Sequence, residues 1–161
     1  MGCILLHSIL LNIWNIQTSQ QITSNLSLPI YPGVLNILFW SPDGSKLISG
    51  DFGSRLFVWD AIHPDQLNDI AMPDNTFTYI SGHRDFAWSP DGDKVALVAG
   101  PSGFEDTTPR ILVLIWDINQ MELTQTIRMD AGDGIRGFDW HPNGLQIAVA
   151  GSDGVKVWDV K

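Results

Sequence analysis

Ile37-Leu38-Phe39-Trp40-Ser41-Pro42-Asp43-Gly44 decides the fold of this chain. Four apolar residues run into Ser-Pro-Asp-Gly. A second apolar run, Lys46-Leu47-Ile48-Ser49-Gly50, follows at once, and Leu56-Phe57-Val58-Trp59-Asp60 comes after a short gap. Proline presets the backbone for the first central position of a type I turn, Asp suits the next position and Gly the last. The flanking runs are short and rich in Val, Ile, Leu, Phe and Trp, as strands are. The stretch therefore reads as strand, tight turn, strand, loop, strand. Several runs are apolar at nearly every position, which predicts strands covered on both faces.

The same line is written twice more. Phe86-Ala87-Trp88-Ser89-Pro90-Asp91-Gly92 leads to Lys94–Gly100 and then to Leu112-Val113-Leu114-Ile115-Trp116-Asp117. Phe138-Asp139-Trp140-His141-Pro142-Asn143-Gly144 leads to Gln146–Gly151 and then to Val155-Lys156-Val157-Trp158-Asp159. A unit of roughly 40–45 residues with four short strands, closing on Trp-Asp, marks one propeller architecture. On these residues the chain resembles the WD-repeat β-propellers, from about Leu11 to the C-terminus. The resemblance implies an all-β fold: a partial β-propeller of four-stranded antiparallel blades, about three blades plus a half blade. The expected organisation is one partial propeller domain over 1–161, with approximate repeats 11–33 (partial), 34–81, 82–131 and 132–161.

The N-terminal stretch fits this scheme as well. Leu11-Asn12-Ile13-Trp14-Asn15 reads as a further third strand, with Asn in place of Asp. Gln17 to Leu28 is polar and reads as an outer strand with a loop. Met1 to Leu11 is apolar, but it lacks a positive start and a small-residue cleavage site, and it is too short and interrupted to span a bilayer. A buried strand of an incomplete blade is the expected reading. Outer strands are expected near Leu67–Met72 and Gln120–Met129.

Composition narrows the function. The chain has 161 residues, 44% of them hydrophobic and 17% charged, which argues against disorder. The net charge of −9 argues against nucleic-acid binding, which needs phosphate-neutralising Lys and Arg. Much of the acid sits at turns and strand ends, where solvation accounts for it. A single cysteine cannot form an internal disulfide, so nothing marks an oxidising compartment and a cytoplasmic location is the expectation. The four histidines stand at no metal-ligand spacing with other candidate ligands, so no metal and no cofactor are expected. Gly132-Asp133-Gly134-Ile135-Arg136-Gly137 matches the glycine pattern of dinucleotide loops, but a strand follows it where a helix is needed, so it is read as a loop.

In the family, a Gly-His histidine, a second-strand Ser or Thr, a turn Asp and the third-strand Trp form a buried hydrogen-bond network. The resemblance carries His83 and Trp116 to two of those places, with Ala99 near the place of the Ser or Thr. Ser49 and Trp59 stand in the first copy without Gly-His, and Asp153 and Trp158 in the third. Structural roles are therefore expected for Trp40, Trp59, Asp60, His83, Trp88, Trp116, Asp117, Trp140, Trp158 and Asp159, with the tryptophans wedged between blades.

Signatures of catalysis are not found: neither a Gly-x-Ser-x-Gly elbow, nor a phosphate loop, nor paired carboxylates. The reading is a non-catalytic interaction scaffold that binds a protein or peptide partner through its loops, without nucleic acid or membrane. The Trp88–Trp116 interval is longer than its counterparts, and the excess lies in Gly100–Arg110. Loops on a rigid scaffold commonly carry binding, and Arg and aromatics are frequent anchors. Phe52, Arg84, Phe104 and Arg136 are the candidate contact residues. One alternative is the propeller part of a larger enzyme, such as a serine peptidase, whose catalytic domain lies outside these residues. Another is an inactive truncated fragment. Three blades and a half fall short of the about four to eight that close a propeller. Exposed apolar sheet faces are therefore expected at both ends, to be covered by self-association or by the remaining blades of a longer propeller.

Overall fold

The computed structural model describes residues 10–22, 26–27, 35–51, 56–61, 63, 67–70, 76–78, 86–101, 111–129 and 135–161. Their regular structure is all strand. Four two-residue strands come first: β1 (Leu10–Leu11), β2 (Trp14–Asn15), β3 (Gln20–Gln21) and β4 (Leu26–Ser27). Next are β5 (Leu35–Trp40), β6 (Lys46–Asp51), β7 (Leu56–Asp60) and β8 (Leu67–Ile70). Then come β9 (Thr76–Thr78), β10 (Phe86–Trp88), β11 (Lys94–Pro101), β12 (Ile111–Asp117) and β13 (Glu122–Met129). The chain closes with β14 (Gly137–Trp140), β15 (Gln146–Gly151) and β16 (Gly154–Asp159).

These strands form antiparallel meanders, as the repeats require. The first sheet runs β5-β6-β7-β8, the second β10-β11-β12-β13, and the third β14-β15-β16. Two small pairs, β1 with β4 and β2 with β3, precede them. The registers repeat. Trp40 lies opposite Leu47 and Leu47 opposite Trp59. Trp88, Val95 and Trp116 repeat that line in the second sheet, and Trp140, Ile147 and Trp158 in the third. Each sheet thus carries its two tryptophans on one face.

The turns explain why the strands meet. In the first, the Gly44 N–H donates to the Ser41 carbonyl at 2.9 Å, and Gly44 has φ +73°. Gly92 and Gly144 repeat both features, with φ +76° and +72°. An L side chain is strained there, so glycine is the fitting residue. The turns also stand side by side. A Cβ on Gly92 would lie 3.7 Å from Asp43 Oδ1, and one on Gly144 would lie 3.7 Å from Asp91 Oδ2.

The core is two layers between three sheets. Ile48, Leu56 and Val58 of the first sheet meet Phe86, Leu97 and Trp116 of the second. Ala96, Val113 and Ile115 of the second sheet meet Trp140, Ile147 and Val149 of the third. Alternate residues of a strand point to opposite faces. Thus Val95 and Leu97 serve the first layer, and Ala96 between them serves the second. This is why the second copy is apolar at nearly every position. Each buried Val, Leu, Ile or Phe side chain contributes about 1.5–3 kcal/mol. Ring packing adds direction: Phe39 stacks on Phe86 at 4.6 Å, and Phe86 meets Trp88 edge-on at 6.1 Å.

The structure departs from the sequence reading in three places. The stretch before the second copy, for which no strand was expected, contains β9, which pairs with the end of β11 from Ala99 to Pro101 and gives that sheet a fifth strand. The expected tryptophan wedge does not hold at Trp40, which is 48% exposed. Its counterpart Trp140 is buried because the second sheet lies over it. Nor is Ala99 the counterpart of Ser49. Ser49 lies two residues beyond Leu47, and in the second sheet that position is Leu97, two beyond Val95.

Candidate functional site

Strand direction sorts the connections into two rims. One rim carries the Ser-Pro-Asp-Gly turns and the third-strand Asp residues, because Lys46 pairs with Asp60, Lys94 with Asp117 and Gln146 with Asp159. The other rim is where β6 ends and β7 begins, where β11 ends and β12 begins, and where β14 starts.

On the turn rim the polar groups are tied to one another. The Ser41 hydroxyl donates to Asp43 Oδ1 at 2.6 Å, and its oxygen accepts the Lys46 N–H at 2.9 Å. Asp43 also accepts the Ser45 N–H at 3.0 Å. Ser89, Asp91, Asp93 and Lys94 repeat the set. The Ser41 and Ser89 hydroxyls, followed by the Ser45 hydroxyl and N–H for Asp43 and by the Asp93 N–H for Asp91, hold both carboxyls below the usual carboxylate range. In the third turn His141 Nδ1 accepts the Asn143 N–H at 3.2 Å.

The Trp-Asp aspartates work the same way. Asp60 accepts the His63 N–H at 2.8 Å, and Asp117 accepts those of Asn119 and Gln120, each at 2.9 Å. Asp159 instead accepts the Gln146 side-chain amide. Asn15 accepts the N–H groups of Gln17 and Thr18 at 2.9 and 3.1 Å, as Asp117 does for its own turn. Ser19 and Met121, four residues on in each case, share a left-handed φ of 55°. The pair β2–β3 therefore copies the geometry of β12–β13, with Trp14 in the place of Trp116.

Of the buried network implied by the resemblance, one bond is present among the described residues. The Trp59 indole N–H donates to Ser49 Oγ at 2.9 Å. Trp116 Nε1 is buried without a partner, because Leu97 stands where the hydroxyl would be. Trp88 Nε1 is likewise buried without one. Trp140 Nε1 donates across the second layer to the Ala87 carbonyl at 3.2 Å, and Trp158 packs at the edge of that layer. His83 lies outside the described residues.

Of the four candidate contact residues, the structure describes Arg136. It is exposed beside β14 on the loop rim, and its N–H donates to the Ala150 carbonyl at 2.9 Å. Phe52, Arg84 and Phe104 lie outside the described residues. The exposed apolar faces expected at both ends are carried by Trp14, Val155 and Val157, which the sequence reading did not name. Their alternation is that of buried strands, so only the neighbouring layer distinguishes them. Among the described residues there is no group of three metal-ligating side chains, and no helix is long and apolar enough to cross a membrane.

Comparison with known proteins agrees with this geometry. The family model described as WD domain, G-beta repeat, matches residues 31–60 and 121–159. Actin-interacting protein 1 of Drosophila melanogaster is 31% identical over 65 residues, which are 40% of this chain and 10% of that protein. The match thus spans about a tenth of the curated relative's length. Among solved structures, the β-propeller domain of Cps50 (Swd1) from Myceliophteria thermophila superposes with a TM-score of 0.61 at 18% identity, covering 93% of this chain and 44% of that one. The WD40 repeats of RRP9 give 0.54 at 21% identity, covering 83% and 37%. With the repeated registers, the side-by-side turns and the layered tryptophans, these matches show a partial β-propeller fold whose residues 31–60 and 121–159 are similar to WD-domain, G-beta repeats.

Proposed function

We propose that this chain is a non-catalytic interaction scaffold that binds a protein or peptide partner through its loop rim. The observation that carries this reading is the contrast between the two rims. On the turn rim, serine, aspartate and backbone groups satisfy one another, which leaves little to offer a partner. On the loop rim Arg136 is exposed at the start of β14. The end of β11, at Gly100 and Pro101, lies on that side, and the longest insertion of the sequence, Gly100–Arg110, begins there. Arg and aromatic side chains presented on a rigid platform are common interface anchors.

Actin is the first partner to test, since the curated relative is an actin-interacting protein. The full chain is cosedimented with actin filaments and titrated against monomeric actin, beside Phe52→Ala, Arg84→Ala, Phe104→Ala and Arg136→Ala. At least two of the four are expected to weaken binding tenfold or more, about 1.4 kcal/mol, with unchanged melting. Binding that none of the four weakens would remove the loop rim as the contact surface. If actin does not bind, a photo-crosslinker placed at Arg136 in cells supplies the second reading. Crosslinks confined to chaperones would overturn the scaffold assignment.

A further inference from the structure

Both inter-sheet layers are built by one rule. The tryptophan-bearing face of each following sheet packs on the opposite face of the sheet before it. That opposite face has a fixed composition. Leu56 and Val58 form it in the first sheet, and Val113 and Ile115 in the second. By register, Val155 and Val157 hold the same places in the third sheet, opposite Ala150 and Ala148. Val113 and Ile115 are fully buried, whereas Val155 is 68% and Val157 59% exposed. A groove of about 270 Å³ lies on this face, bordered by Gly137, Asp139, Ala148 and Val155. It is an apolar surface of the kind that another sheet covers twice within this chain.

The complementary surface stands at the other end. Trp14 matches Trp116 through its strand and turn, yet it is 58% exposed where Trp116 is buried. Ile13, which points the other way, is buried. On the tryptophan face of the first sheet Leu47, Phe57 and Trp59 are buried and Leu38 and Trp40 are half exposed, so the open surface at this end is centred on Trp14. The chain therefore displays both halves of a contact that it makes twice internally.

We propose that the valine face of the third sheet docks the tryptophan face of a second copy of this chain, head to tail, with Trp14 against Val155 and Val157. Such a contact is heterologous, and two of them can close a ring. Two copies bring six main sheets, within the about four to eight of closed propellers. Closure buries both apolar ends and leaves no sheet face open.

The test is the oligomeric state of the full chain, by sedimentation velocity and native mass spectrometry. The wild type is expected to be a discrete dimer. Val155→Asp with Val157→Asp, or Trp14→Asp alone, is expected to give a monomer with little change in melting of the separated chain, because these residues are exposed. Mixing the two kinds of variant restores a dimer held by the one intact contact. A wild-type monomer would overturn the proposal and assign the face to another occupant, such as further blades. A dimer indifferent to both variants, or an open series of oligomers, would also overturn it. So would variants that fail to fold, which would mean that the faces are internal to one chain. None of these substitutions is at a residue tested for partner binding, so the two proposals fail independently.

Discussion

Trp59 Nε1 and Ser49 Oγ meet at 2.9 Å in the buried interior of the first sheet, while the equivalent Trp116 faces Leu97 and keeps its indole N–H unpaired. The two tryptophans occupy the same register in adjacent sheets. They differ in one hydrogen bond, which makes them an internal control for its energy. Ser49→Ala leaves a buried indole donor without a partner and is expected to cost about 1–3 kcal/mol. Urea melts of the variant give the value, and a loss below about 0.5 kcal/mol would show that the bond contributes nothing net.

Trp59→Phe and Trp116→Phe remove the same ring volume from matched places. The first also orphans the buried Ser49 hydroxyl, whereas the second removes a donor that had no partner. Trp116→Phe is therefore expected to be milder, by about 1–3 kcal/mol. Equal losses in parallel denaturant melts would contradict the assignment of paired and unpaired indoles.

Acid should weaken the turns through Asp43 and Asp91. Both folded pKa values lie below the usual one, with the Ser41 and Ser89 hydroxyls as the largest cause. The unfolded carboxyl titrates near ~3.9. A depressed folded pKa means that the folded state holds fewer protons. The stabilisation is therefore complete above that pH and fades as the pH drops below it. Combined Ser41→Ala and Ser89→Ala variants are expected to show a flatter fall in melting temperature between neutral pH and strong acid. An unchanged slope would place the acid sensitivity elsewhere.

Gly44, Gly92 and Gly144 hold a left-handed backbone with room for a methyl group; the closest contacts of a Cβ on Gly92 are 3.7 Å. Alanine there pays only for the backbone, about 1–2 kcal/mol at each turn. Thermal melts of the three single variants should agree with one another. A much larger loss at Gly92 alone would indicate that the side-by-side turns pack more tightly than these distances allow.

Trp140→Ala removes the wedge between the second and third sheets together with the Nε1 bond to Ala87. It is expected to cost about 3–5 kcal/mol, and Trp88→Ala, only half-buried, the lower part of that range. A loss below about 1 kcal/mol in a urea melt would show that the indole does not hold the layer.

Much of this fold was legible because its signals are local. Ser-Pro-Asp-Gly, and His-Pro-Asn-Gly in the third copy, require a chain reversal, and all three fall where the structure has its turns. The outer strands at Leu67–Ile70 and Glu122–Met129 were legible as well, although their ends shifted by a residue or two. Errors came where local sequence says nothing of register. Ala99 was expected near the place of the Ser or Thr, whereas the register puts Leu97 in the place of Ser49. The short β9 was missed because Thr76-Phe77-Thr78 is strand only in company with the end of β11.

The sequence by itself determined the meander, the turns, and which residues share a face, because turn chemistry and a two-residue alternation act within a few residues of chain. Tertiary structure alone decided which of those faces are covered. Val113 and Val155 read alike, as do Trp116 and Trp14, and their burial differs only because one member of each pair has a sheet packed over it and the other does not. Burial depends on neighbours distant in sequence, and no local pattern records whether such a neighbour is present.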